Sequence, residues 1–330
     1  MSDRLSELIA KFAGKRLLLY GDFALDRFVF GEVSRISREA PVLILRYSET
    51  ADHAGCGGNA AANLAALGAI VSVVGFVGKD EHAASLRREL PPEIDPSGLL
   101  ELDGYRTVTK TRILAGSLHS PRQQIVRLDI EPLPVPDRAE DQLWQLLSER
   151  VELCDGVVVS DYGLGAVQLS NLARLRQAAR RRGVPILVDS RFRLAKISDV
   201  TAVTPNISEV EEATGMRIGS NQTLLESVGN KLRAEQQLDA LLITRGRFGM
   251  SLFESGERVT HIPIYGTDEV ADVTGAGDTV IATMALALTS GATFFEAAML
   301  SNYAGGVVVM KHGTATVDPR ELLEAVDDDS

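Results

Sequence analysis

The sequence is poor in cysteine and lacks long apolar runs, and both shortages exclude classes of protein. It has two cysteines among 330 residues, Cys56 and Cys154, and Cys56 lies in a glycine-rich stretch. A disulfide framework is therefore not expected, and a reducing compartment such as the cytoplasm is the expected location. No run approaches the roughly 18 consecutive apolar residues of a membrane-spanning helix. The first residues mix acidic and basic side chains, unlike an export signal, so no membrane partner is expected.

Positive charge is also scarce. The chain has 34 Lys and Arg against 45 Asp and Glu, which gives a formal net charge of −11. Because proteins bind nucleic acids by neutralising phosphates with clustered Lys and Arg, this balance argues against a nucleic-acid partner. A small anionic ligand would need a local basic pocket.

The sequence does contain apolar runs that alternate with longer amphipathic segments, at 45% hydrophobic and 24% charged residues overall. This pattern predicts an α/β fold with a mostly parallel central sheet covered on both faces. The predicted strands are residues 16–20, 71–76, 156–159, 185–188, 202–204 and 241–244. The predicted helices are residues 59–67, 80–90, 137–150, 169–182, 208–214, 221–235, 276–288 and 294–311.

Two segments, residues 28–51 and 105–133, interrupt this rhythm. Both are rich in β-branched and aromatic residues and have no helical period, as in Val42, Ile44 and Thr107, Thr109. They predict antiparallel strands that project from the main body as a discontinuous lid. Edge hairpins of the main sheet are the alternative. Without an internal repeat or a linker, residues 1–330 are expected to form one folding unit.

The segment 269–279 carries the strongest chemical signal. Gly275, Ala276 and Gly277 lead into Asp278 and a long apolar helix. Glycines let a ligand approach the backbone closely, and the free N–H groups of a first helical turn bind anions. Asp278 could cap this helix or accept a proton during phosphoryl transfer. Alone, a Gly-x-Gly before a helix is a weak signal.

The wider segment Asp272-Val-Thr-Gly-Ala-Gly-Asp278 resembles the C-terminal signature of the ribokinase-like (PfkB) family of carbohydrate kinases. The resemblance implies a three-layer α/β sandwich with a small β-sheet lid. It implies that Asp278 is the catalytic base and that Gly275, Ala276 and Gly277 form the hole that binds the transferred phosphoryl group.

Two N-terminal motifs resemble the sugar-binding elements of the same family. Gly21-Asp22 with Asp26 is similar to the sugar-hydroxyl clamp, in which Asp22 is favoured as the ligand and Asp26 as a capping or ion-pairing residue. Gly57, Gly58 and Asn59 match the signature that admits the sugar, with Asn59 bonding its hydroxyls. Cys56 stands where the family usually has a glycine. In isolation, this stretch also fits a tight turn with a helix cap.

The C-terminal half resembles the family's nucleotide-binding elements. Asn206 and Glu209 match the Asn-x-x-Glu element that organises Mg²⁺, with Glu209 acting through water. Thr244, Gly246, Thr274, Arg191 and Asn302 are the further nucleotide-side candidates. Asn302 could instead be an ordinary helix-surface amide. The implied cofactors are ATP and Mg²⁺, and a monovalent cation is a further candidate.

Within the family, residues 34–42, 109–112, 124–129 and 160–166 resemble kinases that phosphorylate D-glycero-D-manno-heptose 7-phosphate to the 1,7-bisphosphate. The resemblance implies that Lys110, Arg112, Arg127 and Asp161 bind this substrate. Arg191 stands where these kinases commonly have lysine. Two further expectations are a homodimer through the lid and a separate adenylyltransferase as pathway partner.

Two other interpretations remain open at this stage. The chain could phosphorylate another sugar, a sugar phosphate or a nucleoside, or it could be a non-catalytic regulator that binds sugar or nucleotide. A Rossmann oxidoreductase is disfavoured because Gly21-Asp22-Phe23 follows the first strand instead of Gly-x-Gly-x-x-Gly. A P-loop kinase is excluded because the sequence has no Gly-x-x-x-x-Gly-Lys-Ser/Thr.

Overall fold

The computed structural model describes residues 1–116, 122–266, 273–311 and 313–329. Its strands are β1 Arg16–Gly21, β2 Phe23–Ile36, β3 Leu43–Cys56, β4 Ile70–Gly78, β5 Ile94–Leu102, β6 Thr109–Gly116, β7 Gln123–Ile130, β8 Gly156–Asp161, β9 Ile186–Ser190, β10 Ala202–Val203, β11 Ala240–Thr244, β12 Met250–Glu254 and β13 Arg258–Ile262. Its α-helices are α1 Ser2–Ile9, α2 Gly57–Ala66, α3 Glu81–Arg88, α4 Asp137–Val151, α5 Leu169–Arg182, α6 Ile207–Thr214, α7 Gln222–Glu235, α8 Ala276–Thr289, α9 Phe294–Val309 and α10 Pro319–Asp328. Asp272, the first residue of the C-terminal signature, lies outside the described residues.

The larger sheet has the strand order β13-β12-β11-β10-β9-β8-β1-β4-β5. All pairs are parallel except β11 with β12 and β12 with β13. Alternate residues of β1 enter two different cores: Leu17 and Leu19 pack with α2, α8 and α9, and Leu18 and Tyr20 pack with α4 and α5. The predicted α/β fold with a mostly parallel sheet between two helical layers is therefore confirmed.

The eight predicted helices end within two residues of the observed bounds, whereas α1, α10, β5, β12 and β13 were not predicted. β5 contains Pro96 and Gly98, which usually interrupt strands. As an edge strand, it tolerates both. Among the described residues, none of the helices is long and apolar enough to cross a membrane.

The smaller sheet contains both predicted lid segments, in the order β3-β2-β6-β7. β2 pairs with β3 and β6 pairs with β7 in antiparallel fashion, but β2 and β6 are parallel. The expectation of antiparallel strands thus holds within each hairpin and not where the hairpins meet. Strands β2 and β3 also extend beyond residues 28–51, and their buried ends at Ala24 and Cys56 anchor the lid beside α2.

Candidate active site

Asp278 lies in the first turn of α8, directly after a glycine in the left-handed conformation. Gly275 has φ 81° and ψ 0°, a conformation that strains other residues. Both carboxylate oxygens of the buried Asp278 accept a hydrogen bond. Asn59 Nδ2 donates to Oδ2 at 2.7 Å, and the hydroxyl of Tyr162 donates to Oδ1 at 3.0 Å. The orientation of the carboxylate is therefore fixed before any ligand binds.

Asn59 is itself held by a short chain of hydrogen bonds between α2 and α8. Asn63 Nδ2 donates to the carbonyl of Asn59 at 3.0 Å, and Thr279 Oγ1 donates to Asn63 Oδ1 at 2.7 Å. These amides are fully or almost fully buried. Asn59, predicted as a sugar ligand, thus also positions the carboxylate of Asp278.

Burial brings the pKa of Asp278 into a range that suits a general base. It raises the pKa of Asp278 from an ordinary 3.8 to about 6, while the hydrogen bonds from Asn59 and Tyr162 and the charge of Lys110 limit the rise. A carboxylate with this pKa is mostly ionised at neutral pH, and it is more basic than an exposed aspartate. It can therefore accept a proton from an alcohol as the alcohol attacks phosphorus.

We expect kcat/KM to fall as the pH is lowered through about 6, since protonated Asp278 cannot accept a proton. Replacing Tyr162 with Phe removes a donor that stabilises the ionised form, so the pKa of Asp278 should rise and the acid limb should move to higher pH. The measurement is the pH profile of kcat/KM. Tyr47→Phe, on an exposed lid tyrosine, is the control. An unchanged acid limb in Tyr162→Phe would contradict the assignment.

Two cavities meet at Asp278. The first has a volume of about 730 Å³ and the second about 650 Å³. Both are lined by Tyr162, Arg191, Thr274, Gly275 and Asp278. We call them the nucleotide cavity and the acceptor cavity, after the ligands that the sequence motifs in their linings predict. Asp278 therefore stands where a group bound in one cavity could reach a group bound in the other.

The two glycines of the loop serve different needs. A Cβ on Gly275 would lie 2.5 Å from Asn59 Nδ2, whereas a Cβ on Gly277 would meet nothing within 4 Å. Gly275 is thus required by packing, and Gly277 leaves open space in the nucleotide cavity.

We expect Gly277→Ala to raise the KM for ATP roughly tenfold, because its methyl group takes space that the nucleotide needs. Its melting temperature should not fall, because alanine is favoured over glycine within a helix. Gly275→Ala should instead lower the melting temperature, because alanine is strained at this φ and collides with Asn59. Steady-state kinetics and thermal unfolding of both variants provide the check. Equal changes in the melting temperatures of the two variants would contradict the different roles of Gly275 and Gly277.

All seven residues predicted for the nucleotide line the nucleotide cavity. Thr244 and Gly246 line it at the end of β11, and Asn302 lines it from α9. The amide of Asn302 is buried and donates to the carbonyl of Pro263 at 2.9 Å, so it is not the surface amide of the alternative interpretation. Asn206 and Glu209 also line the cavity, where they form a reciprocal cap at the start of α6.

An acidic pair in the same cavity fits a hydrated Mg²⁺. In the described part of the chain, no group of three His, Cys, Asp or Glu could hold a metal ion directly. Asp189 and Glu209, however, both line the cavity, and burial raises the pKa of each. A cation would offset the repulsion between them, and Mg²⁺ usually keeps several waters besides one or two carboxylates. Asp189 was not among the predicted site residues.

The acceptor cavity is walled by the inner face of the lid. Asp26 and Lys110 are cross-strand partners, and so are Lys110 and Asp129. Because side chains alternate along a strand, residues two apart share this face. The lid strands contribute the charged residues Asp26, Lys110, Arg112, Arg127 and Asp129, and Glu131, Arg191 and Asp278 complete the charged lining of the cavity. Four cations, three of them on the lid, thus line one cavity of an acidic protein.

Two of these cations already have carboxylate partners. Arg112 Nη1 donates to Asp26 Oδ1 at 2.5 Å, and Arg127 binds Asp129 through two hydrogen bonds of 2.8 and 2.6 Å. For Lys110, the contacts are the sulfur of Cys56 at 3.2 Å and the ring of Tyr162, whose centroid is 5.6 Å away. Among the three lid cations, Lys110 is therefore the one most available to an anionic ligand.

Asp22 and Asp26 lie in different surroundings: Asp26 forms the ion pair expected for it and also lines the acceptor cavity. Asp22 lines neither cavity. The buried carboxylate of Asp22 accepts from the backbone N–H groups of Tyr162 and Leu164 at 2.9 Å and of Ala166 at 2.8 Å. Asp22 therefore fixes the loop that carries Tyr162, and its carboxylate lies outside the cavity in which a sugar was expected to bind.

Three other residues predicted for the sugar also have structural roles. Asp161 is buried, binds Arg193 through two hydrogen bonds and accepts from Ser190 Oγ at 2.6 Å. It borders the nucleotide cavity instead of the acceptor cavity. Gly57 and Gly58 line neither cavity, and a Cβ on either would come within 3 Å of neighbouring atoms.

Tyr162 is the main site residue that sequence reasoning missed. It belongs to the segment 160–166, which pointed to a heptose kinase, but only its neighbour Asp161 was selected. The signal that could have identified it is its position just beyond a central strand, where ligands of open α/β sheets bind.

The chain is similar to carbohydrate kinases over most of its length. A model described as pfkB family carbohydrate kinase matches residues 20–321. The chain is 41% identical over 316 residues to bifunctional protein HldE of Nitrosococcus oceani and 40% identical over 320 residues to that of Geobacter sulfurreducens. Each alignment covers 96% of this chain and 64% of the relative, so the chain spans a little under two thirds of their length.

Solved structures share the fold. The Arabidopsis thaliana ribokinase complexed with ribose and ATP matches with a TM-score of 0.73 and 19% identity, over 95% of this chain and 99% of that chain. Phosphofructokinase-2 from Escherichia coli in complex with substrates and products matches with a TM-score of 0.75 and 17% identity, over 95% and 99%. The predicted fold class and family are confirmed. The chain belongs to the PfkB family of carbohydrate kinases, whose members transfer a phosphoryl group to an alcohol group.

Proposed function

We propose that this chain transfers the γ-phosphoryl group of ATP to the anomeric hydroxyl of D-glycero-D-manno-heptose 7-phosphate. The observation that carries the proposal is the junction of two cavities at Asp278, one of which is lined by Lys110, Arg112 and Arg127. A sugar that already bears a phosphate needs such cations. The similarity to the HldE proteins and the motifs of residues 34–42 and 124–129 support the choice of a heptose.

In the proposed reaction, Asp278 accepts the proton of the sugar hydroxyl. The sugar oxygen forms a new bond to the γ-phosphorus, the bond to the β–γ bridging oxygen breaks, and ADP leaves. The first turn of α8 supports the charge of the moving phosphoryl group. Mg²⁺, when bound near Asp189 and Glu209, would neutralise charge on the nucleotide phosphates.

Arg191 lines both cavities and is a further candidate for contact with the phosphates. The guanidinium carbon of Arg191 lies 5.5 Å from the centroid of the Phe192 ring. A guanidinium at the junction of the cavities can bind phosphate oxygens from either side.

We also propose that two copies associate through the lid. Its exposed apolar residues are Val33, Ile36, Val42, Leu43, Tyr47, Ile125, Val126 and Leu128. Exposed apolar edge strands commonly pair with another chain. Analytical ultracentrifugation should show a dimer that dissociates in a Tyr47→Glu, Leu128→Glu variant.

The test of the kinase proposal is a screen of sugars, sugar phosphates and nucleosides for ADP release. Heptose 7-phosphate should give the highest kcat/KM, and ³¹P and ¹³C NMR should place the new phosphate on the anomeric carbon. ADP release without sugar is the control for ATP hydrolysis. Higher kcat/KM with another sugar or a nucleoside would replace the substrate, and no release with any acceptor would favour a binding protein.

A further inference from the structure

Cys56 adopts a backbone conformation that normally belongs to glycine. Its φ is 54° and its ψ is −128°, close to the glycine position of a type II′ turn. Three other non-glycine residues of the described chain have positive φ, namely Asp199, Gln237 and Glu257. Those three are half-buried or exposed, whereas Cys56 is 5% exposed. A strained, buried backbone persists where the surroundings enforce it, and such residues cluster at functional sites.

The side chain of Cys56 is placed where it can affect the acceptor. It lines the acceptor cavity, and its sulfur lies 3.2 Å from Lys110 Nζ. Cys56 also immediately precedes α2, which carries Asn59 and thereby the hydrogen bond to Asp278. A glycine at this position would relieve the strain, but it would leave the ammonium group without this contact.

The contact with the thiol leaves Lys110 available to an anionic ligand. Burial raises the pKa of the Cys56 thiol to about 12, so its sulfur is a neutral, weak hydrogen-bond acceptor. A carboxylate in its place would neutralise the lysine, as Asp26 and Asp129 do for the neighbouring arginines. The thiol can thus hold the ammonium group without competing strongly with an anionic substrate.

We propose that Cys56 is a specificity-determining residue for anionic acceptors. Its thiol closes the wall of the acceptor cavity and holds the Lys110 ammonium group toward the anionic group of the sugar. This inference rests on the proposed function, because it assigns the anionic group of the acceptor to the lid side of that cavity.

The test compares Cys56→Gly, Cys56→Ala and Cys56→Ser in the full chain. Alanine keeps the strain and loses the thiol, whereas glycine loses both. The glycine variant should therefore melt roughly 1–3 °C above the alanine variant, the reverse of their usual order at an unstrained position. Isothermal titration should show that both variants bind heptose 7-phosphate about tenfold more weakly than the unmodified chain. Binding of unphosphorylated heptose should change little, and serine should restore most of the preference.

Two outcomes would overturn the inference. One is an unchanged preference for the phosphorylated over the unphosphorylated sugar in Cys56→Gly. The other is an alanine variant that melts at or above the glycine variant, since the backbone would then not be strained. If the unmodified chain fails to bind heptose 7-phosphate, the proposed substrate is wrong, but the melting comparison still tests Cys56. The affinity comparison then uses the sugar that the screen identifies, with and without its phosphate.

Discussion

Replacing Asp278 with Asn should lower turnover by roughly 100- to 10,000-fold while leaving the affinity for ATP nearly unchanged. Asparagine keeps the size of the side chain and can still accept a hydrogen bond from Asn59, which now holds Oδ2 at 2.7 Å. What it loses is the capacity to accept a proton. The first turn of α8 and the nucleotide cavity keep their shape, so nucleotide binding should persist.

The measurement pairs steady-state kinetics with titration calorimetry of ATP. A matched control is Asp318→Asn, since Asp318 also lies at the start of a helix, where it caps α10 and lines neither cavity. That control should keep its turnover, even if its melting temperature falls. Turnover close to normal in Asp278→Asn would remove the base from the proposed reaction, and lost ATP binding would indicate a collapsed loop.

Replacing Lys110 with Ala should raise the KM for the phosphorylated sugar roughly 10- to 100-fold and leave the KM for ATP within about twofold. Lys110 lines the acceptor cavity and not the nucleotide cavity. It is a cleaner target than Arg112, because removing Arg112 would also leave the carboxylate of Asp26 without its partner.

Arg122→Ala is the matched control for lost positive charge on the lid. Arg122 pairs with Glu49 and does not line the acceptor cavity. Its removal should change neither KM. A Lys110 variant with equal effects on both substrates, or an Arg122 variant that matches it, would place the anion-binding site elsewhere. In the Lys110 variant, the KM for the unphosphorylated sugar should change less than the KM for the phosphorylated sugar.

Local sequence determined the elements whose geometry is itself local. The first turn of a helix presents its N–H groups wherever it forms, so Gly275, Gly277 and Asp278 could be recognised from a few adjacent residues. The alternation of apolar and amphipathic segments likewise predicted the parallel sheet. The absence of helical periodicity in residues 28–51 predicted strands of the lid.

Tertiary structure decided which side chains face the cavities. Asp22 and Asp26 are four residues apart in one motif, and only Asp26, the less favoured candidate for the sugar ligand, lines the acceptor cavity. The choice depends on backbone N–H groups from 140 or more residues away, which satisfy the Asp22 carboxylate and leave Asp26 at the cavity.

The same reason explains the other contacts that sequence reasoning missed. The hydroxyl of Tyr162 reaches Asp278 across 116 residues, and Lys110 reaches the sulfur of Cys56 across 54. Hydrogen bonds between distant segments depend on how the sheet and the lid pack together. Such packing has no periodic signature in the chain, whereas helices, strands and helix termini do.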